Sequence, residues 1–259
     1  ISLARGVRVG VPMRGPGLRP DLVALADAGT PRTRLILLNS PHNPTGVVFT
    51  PAELAEVARI AIENDVLVLS DEAYEHLWFD DTPHVPISTL PGMWERTVTI
   101  GSGGKSFSFT GWKVGWATGP RDLIAAVRVV RQHLSFVSGG PFQYAMAEGL
   151  ALPDEYFAAF RADLAGKRDL LSAGLAELGL GVIVPQGTYF VTTDIRPLGY
   201  DDGLAFCRDL PGRAGVVAIP HQVFCDDPSI GAPYVRWAFC KQPSVLTEAL
   251  DRLRAGLRS

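Results

Sequence analysis

Cysteine is scarce in this sequence, and what there is forms no pattern. Cys207, Cys225 and Cys240 are odd in number and lack Cys-x-x-Cys spacing, which argues against a disulfide framework or a zinc site and for a reducing cytoplasm. His42, His76, His84, His133 and His221 are scattered without metal-ligand spacing, so each is read as a core or surface histidine and no metal is expected. There is no basic run, and the net charge is −3, which leaves no electrostatic case for nucleic acid or an anionic membrane. No apolar stretch is long enough to span a bilayer, and neither an internal repeat nor a low-complexity segment is present. The opening residues, Ile1-Ser-Leu-Ala-Arg-Gly-Val7, resemble neither a signal peptide nor a natural start, and the chain is expected to begin inside a domain. Lysine is scarce as well. Of 24 basic residues only Lys105, Lys113, Lys167 and Lys241 are lysines, which shortens the list of nucleophilic amines.

With 47% hydrophobic and 20% charged residues, the 259-residue chain is globular, long enough for one large domain or two modest ones. Val7–Val11 reads as a short strand and 20–26 as a short helix. The continuous apolar run 34–38 suits a parallel strand buried on both faces, and it ends in the turn-rich loop Asn39-Ser-Pro-His-Asn-Pro-Thr-Gly46. Thr50, Pro51 and Glu53 spell the N-cap, first position and capping box of a helix carrying Leu54, Val57, Ala58, Ala61 and Ile62 at helical spacing. Strand 66–69 follows, ending in Ser70-Asp71-Glu72, and completes a βαβ unit.

Next comes strand 97–100, the loop Gly101-Ser-Gly-Gly-Lys-Ser-Phe107, and strand 114–118. Polar groups thus gather at the carboxyl ends of successive strands, where ligands bind in open α/β sheets. Helices are expected over 120–134, 141–152 and 154–178, the last long enough to connect two compact regions. The tail mixes strands 187–193, 216–219 and 234–239 with a closing helix 245–257, as α+β units do. The expected division is 1–152 and 153–259.

Lys105 sits at the end of a buried strand, where desolvation disfavours the ammonium and makes the amine a nucleophile suited to a Schiff base. Ser102 and nearby backbone N–H groups suit a phosphate, with Lys113 as a cation.

The pieces Asn39–Gly46, Ser70-Asp-Glu-Ala-Tyr74, Ser102–Phe107 with Gly111-Trp-Lys-Val-Gly-Trp116, and Tyr234-Val-Arg-Trp237 occur in one order on matching elements. In this the sequence resembles the class I/II aminotransferases, fold type I enzymes dependent on pyridoxal 5′-phosphate. The resemblance implies an α/β fold, with a mostly parallel large domain and an α+β C-terminal small domain. It implies Lys105 as the lysine that binds the cofactor and shuttles a proton, with Asp71 under the pyridine nitrogen and Tyr74 and Asn43 on the phenolic oxygen. Ser102 and Lys113 would hold the phosphate, Arg236 would clamp the substrate α-carboxylate, and Asn43 would share in binding the substrate. Many relatives carry arginine where Lys113 stands, and lysine lacks the bidentate fork. Asn43 also suits an Asx-turn before Pro44, and the Asn43–Pro44 bond is expected to be cis. Cys225 is read as packing, and an outward surface arginine is the rival reading of Arg236.

Gly111–Trp116, Ala218-Ile-Pro220 with Val223-Phe-Cys225, and 236–241 resemble the kynurenine, glutamine and methionine aminotransferase branch. Arg196-Pro-Leu-Gly-Tyr-Asp-Asp202 with Phe206-Cys207 is more similar to actinobacterial enzymes assigned as N-succinyldiaminopimelate aminotransferases of lysine biosynthesis. The expected reaction moves an amino group between an amino acid and a 2-oxo acid, in a cytoplasmic homodimer. A kynurenine, glutamine or methionine type of aminotransferase, cysteine-conjugate β-elimination, and an inactive or non-catalytic cofactor-binding fragment are the alternatives. The family's N-terminal part, with a substrate-side arm, a phosphate loop and a ring-stacking aromatic, has no counterpart here, and weak or absent activity is the expectation for the polypeptide by itself.

Overall fold

Thr50 shows how closely local chemistry sets the elements. Its hydroxyl accepts the Glu53 N–H at 3.2 Å, and the Glu53 carboxylate accepts the Thr50 N–H at 2.7 Å, so the capping box is complete. A computed structural model of the chain describes residues 1–137 and 139–257. In chain order the first half runs β1 (Met13–Arg14), β2 (Arg19–Pro20), α1 (Leu22–Asp27), β3 (Leu35–Asn39), α2 (Pro51–Glu63), β4 (Leu67–Asp71), β5 (Thr97–Ser102), α3 (Gly103–Ser106), β6 (Gly115–Thr118), α4 (Arg121–Leu134) and α5 (Gly140–Leu150). The second half runs α6 (Asp154–Glu177), β7 (Gly181–Ile183), β8 (Phe190–Asp194), α7 (Gly203–Ala214), β9 (Ile219–Pro220), α8 (Pro228–Gly231), β10 (Tyr234–Ala238) and α9 (Pro243–Leu257).

Two four-stranded sheets organise the chain, beside the small β1–β2 ribbon. The first has the order β3-β4-β5-β6, parallel from β3 to β5 and antiparallel from β5 to β6. Register pairs Asn39 with Asp71, so the ends of β3 and β4 lie side by side. One face of this sheet packs on α2, where Leu54, Val57 and Ala61 meet Leu38 and Val68. The second sheet, β7-β8-β10-β9, is antiparallel throughout and packs against α6, α7 and α9. Its core also takes Tyr74, Leu77 and Phe79, so the segment leaving β4 enters the second core. Helix α6 touches both regions. Phe157 packs with Phe107 and Met146, whereas Leu164, Leu171 and Leu175 lie in the second core. No helix among the described residues is long and apolar enough to cross a membrane.

Several expectations need correction. Val7–Val11 is not a strand. No neighbouring strand among the described residues pairs its backbone, and Val7 and Val9 are exposed. The run 34–38 is a strand, but it is buried on one face only. Leu35 and Leu37 are exposed, as are Leu67 and Ile100 on the neighbouring strands, because no described element covers that face. The strand expected from Gly187 begins at Phe190, since Thr188 has φ +66°, outside the β region. Of the 216–219 segment only Ile219 pairs, with Arg236 of β10, and Pro220 just beyond it pairs with Val235.

Candidate active site

The loop after β3 turns back sharply, with cis bonds at Ser40–Pro41 and at Asn43–Pro44. Gly46, at φ +75°, comes so close to the second region that an added Cβ would stand 2.3 Å from Pro185 Cβ. Its carbonyl accepts the N–H groups of Gln186 and Gly187 at 2.9 and 2.8 Å. His42 closes the loop with an Nδ1 contact of 2.8 Å to Thr45 Oγ1, and burial lowers its pKa to about 4, so the ring is neutral at pH 7. The turn leaves the Asn43 side chain exposed, facing β10.

Asp71 ends β4 half-buried, and its Oδ1 accepts the Ala73 N–H at 3.1 Å. The next residue, Glu72, points into the interior, taking the Ser70 hydroxyl at 2.8 Å and His84 Nε2 at 2.9 Å. Tyr74 is 4% exposed and meets Tyr189 and Phe190 edge-on, with ring centroids 5.3 and 6.4 Å apart. Burial, and then the neighbouring Tyr189 phenol, hold the Tyr74 hydroxyl protonated well above the ordinary range.

Ser102 ends β5 and leads into the one-turn helix α3, which carries Lys105. Small residues are required here. A Cβ on Gly104 would lie 2.9 Å from Thr110 Cα, and one on Gly101 would lie 2.2 Å from Trp116 Nε1. Half-buried Lys105 holds its ammonium 6.0 Å from the Tyr74 ring centroid and makes no hydrogen bond or ion pair among the described residues. The Ser102 hydroxyl is likewise free of partners among them. Lys113 is exposed, in the left-handed region at φ +55°, two residues before the Gly115 that pairs with Ser102.

Arg236 comes from β10 and is half-buried, with its guanidinium carbon 4.0 Å from the Phe190 centroid and 4.6 Å from that of Phe224. Its Nη1 donates to Asn43 Oδ1 at 2.6 Å. Among the described residues it has no carboxylate partner, and burial lowers its pKa. A half-buried guanidinium without a counter-ion is a receptor for an anion, and a planar fork suits a carboxylate.

The fold therefore joins Asn43 to Arg236 directly and sets Lys105 beside Tyr74, while Asp71 and Arg236 both act electrostatically on the Tyr74 phenol. Ser102 and Lys113 share the β5–β6 end of the sheet, and among the described residues their side chains make no hydrogen bond or ion pair with the others. Arg236 is half-buried beside the Phe190 and Phe224 rings. Sequence reasoning missed Tyr189, Phe190 and Phe224, whose only signal is the register of β8 against β10 and the proximity of Phe224 to Pro220. It also missed Asn39, which hydrogen-bonds both Asp71 and Asn43.

A model of the family described as aminotransferase class I and II matches residues 1–253. The chain is 48% identical, over 98% of its length, to a probable N-succinyldiaminopimelate aminotransferase of Mycobacterium tuberculosis, and spans 66% of that relative. It is 41% identical to a kynurenine–oxoglutarate transaminase of Dictyostelium discoideum, over 88% of this chain and 58% of the relative. Among solved structures, the N-succinyldiaminopimelate aminotransferase of M. tuberculosis superposes with a TM-score of 0.91 at 49% identity, covering 95% of this chain and 64% of that one. An Escherichia coli methionine aminotransferase gives 0.88 at 36% identity, over 93% of this chain and 64% of that one.

Proposed function

Because the chain belongs to the class I and II aminotransferases, of fold type I, we propose that it carries the catalytic lysine and substrate clamp of a pyridoxal-phosphate-dependent transaminase. The proposed reaction moves an amino group from N-succinyldiaminopimelate to 2-oxoglutarate, a step of lysine biosynthesis. The donor assignment is supported by the 48% identity to the mycobacterial relative, against 41% to the kynurenine enzyme. The observation that carries the activity is geometric: among the described residues Lys105 stands beside Tyr74 without a hydrogen bond or ion pair, and Arg236 has no counter-ion but is held by Asn43.

The residues present fit the cofactor by their chemistry. Asp71 would hold the protonated ring nitrogen, Tyr74 and Asn43 the phenolic oxygen, and Ser102 and Lys113 the phosphate. Tyr74 suits its part because its hydroxyl stays protonated and so donates. Ser102 suits its part because its hydroxyl has no partner among the described residues. When bound, pyridoxal phosphate supplies an electron-accepting ring that acidifies the α-hydrogen of an amino acid. Lys105 Nζ is the base that would take and return that proton, and its freedom from hydrogen bonds leaves the lone pair available once deprotonated. Arg236 would orient the α-carboxylate by two parallel bonds so that the Cα–H bond faces Lys105.

The same reading gives a division near residues 152 and 153, supported by strand positions, since the first sheet ends at Thr118 and the second begins at Gly181. A homodimer and a cytoplasmic setting belong to it too, the latter supported by three unpaired thiols.

The test is an absorption spectrum of the chain with added pyridoxal phosphate, beside Lys105→Ala. A visible band in the first alone is expected, followed by glutamate formation from N-succinyldiaminopimelate and 2-oxoglutarate. Equal bands in both would remove Lys105 from its role. Ammonia and pyruvate released from a cysteine conjugate without an oxo acid would shift the reaction to β-elimination.

A further inference from the structure

Asn39 has no part in the transaminase reading above, yet it bridges the two sides of the site. Asn39 and Asp71 are register partners at the ends of β3 and β4. Half-buried Asn39 donates through Nδ2 to the Asp71 carbonyl at 2.8 Å, with a longer contact of 3.4 Å to the Pro41 carbonyl. Its Oδ1 accepts the Asn43 N–H at 2.9 Å. The partners dictate this orientation. Turned over, the amide would set its oxygen against the Asp71 carbonyl and its NH₂ against the Asn43 N–H, losing both bonds. Asn43 in turn accepts from Arg236 at 2.6 Å. One side-chain amide thus ties the strand end that carries Asp71 to the loop that holds Arg236.

We infer that Asn39 is a positioning residue that fixes the spacing between Asp71 and the Asn43–Arg236 pair, and through it the place of a bound carboxylate. The inference rests on the transaminase reading, because Asp71 and Arg236 are the cofactor and substrate ends of that site. A substrate held at both ends needs the two ends at a set distance, and small displacements of a clamp cost binding and orientation. Across the β3 end, the Asp71 carbonyl accepts the Ser40 N–H at 3.2 Å and the Asn39 amide at 2.8 Å.

The test uses the chain loaded with pyridoxal phosphate and titrated with maleate, a dicarboxylate with no amine to transfer, followed through the visible band of the cofactor. Asn39→Leu removes both bonds. Asn39→Asp, isosteric, keeps the acceptor and sets an oxygen against the Asp71 carbonyl. Each is made alone and on Arg236→Lys, with melting measured throughout. Both single variants are expected to keep the Lys105-dependent band and to bind maleate about tenfold more weakly, the factor that one or two such hydrogen bonds supply. On Arg236→Lys the further loss is expected to shrink to within about twofold, because the clamp that Asn39 positions is already gone. Equal weakening in both backgrounds, or maleate binding unchanged in a folded variant, overturns the inference alone. If Asn39→Leu does not fold, Asn39→Asp carries the same comparison. Absence of a Lys105-dependent band in the unaltered chain overturns the transaminase reading and this inference with it.

Discussion

Arg236 Nη1 donates to Asn43 Oδ1 across 2.6 Å, joining residues 193 apart in the chain. The contact uses one of five guanidinium N–H groups, and the rings of Phe190 and Phe224 lie 4.0 and 4.6 Å from the guanidinium carbon. Donors remain for a carboxylate, in a setting where a charge–charge bond is weakly screened. Arg236→Lys keeps the charge but loses the fork and the stacking. It is expected to raise KM for both amino acid and 2-oxo acid by roughly tenfold to a hundredfold, with a smaller change in kcat. Steady-state kinetics with both substrates varied checks this, and an unchanged KM would return Arg236 to a structural role.

Tyr74→Phe separates the phenol from the ring. The edge contacts to Tyr189 and Phe190 persist in the variant, so stability is expected to change by less than about 1 kcal/mol in a melting experiment. The hydroxyl donor is lost, and affinity for pyridoxal phosphate is expected to fall about tenfold. Burial and the Tyr189 phenol keep the hydroxyl protonated, so the ratio of the two affinities is expected to be constant from about pH 6 to 9. A ratio that collapses at the alkaline end would mean that the phenol ionises there.

The parts of the fold legible in the sequence are those whose signal is local. The capping box at Thr50 and Glu53, the apolar spacing of α2 and the turn chemistry of 39–46 each state their own structure. What stayed hidden depends on partners distant in sequence. Val7, Val9 and Val11 alternate like a strand, but a strand exists only where another backbone pairs with it. Leu35 and Leu37 look like core residues, and their exposure follows from what does or does not cover that face of the sheet. Helix α7 was masked by Pro211 and Gly212, although Asp202 caps it. In the candidate site, the proposed residues Lys105, Asp71, Tyr74, Asn43 and Arg236 stand in local motifs. Phe190 and Phe224, which flank Arg236, and Tyr189, which packs on Tyr74, do not, because residues that meet in space need not be neighbours in sequence.

Gly46 is where the candidate site meets the second region. At φ +75°, with an added Cβ 2.3 Å from Pro185 Cβ and 3.1 Å from the Gly187 carbonyl, no side chain fits without moving the backbone. Movement would break the bonds from Gln186 and Gly187 to the Gly46 carbonyl. Gly46→Ala is therefore expected to destabilise the chain by about 3 kcal/mol or more, read by urea denaturation. A loss below about 1 kcal/mol would show that the two segments separate at little cost.

Glu75 makes stability depend on pH in a direction opposite to most carboxylates. Its Oε1 is buried without a partner, and burial, then the charge of Glu72, raise its pKa from 4.5 to about 7, with His84 opposing. Below pH 4.5 both folded and unfolded states hold the proton. Between 4.5 and 7 the unfolded chain releases it while the folded chain keeps it, so stability falls as pH rises through that window and stays lower above it. Half-buried His42 and buried His221, lowered to about 4 and about 3 from 6.5, work the other way, losing stability as pH falls below 6.5. The unaltered chain therefore shows opposing slopes, and the difference from Glu75→Gln isolates the carboxyl. The glutamine variant is expected to match the unaltered chain near pH 4.5 and to exceed it by about 2 kcal/mol at pH 8, at about 1.4 kcal/mol per pKa unit less solvent screening. Denaturation midpoints at half-unit steps of pH measure that difference directly. Parallel curves across the window would mean that water or a neighbouring group already satisfies Oε1 and that Glu75 ionises like an ordinary carboxylate.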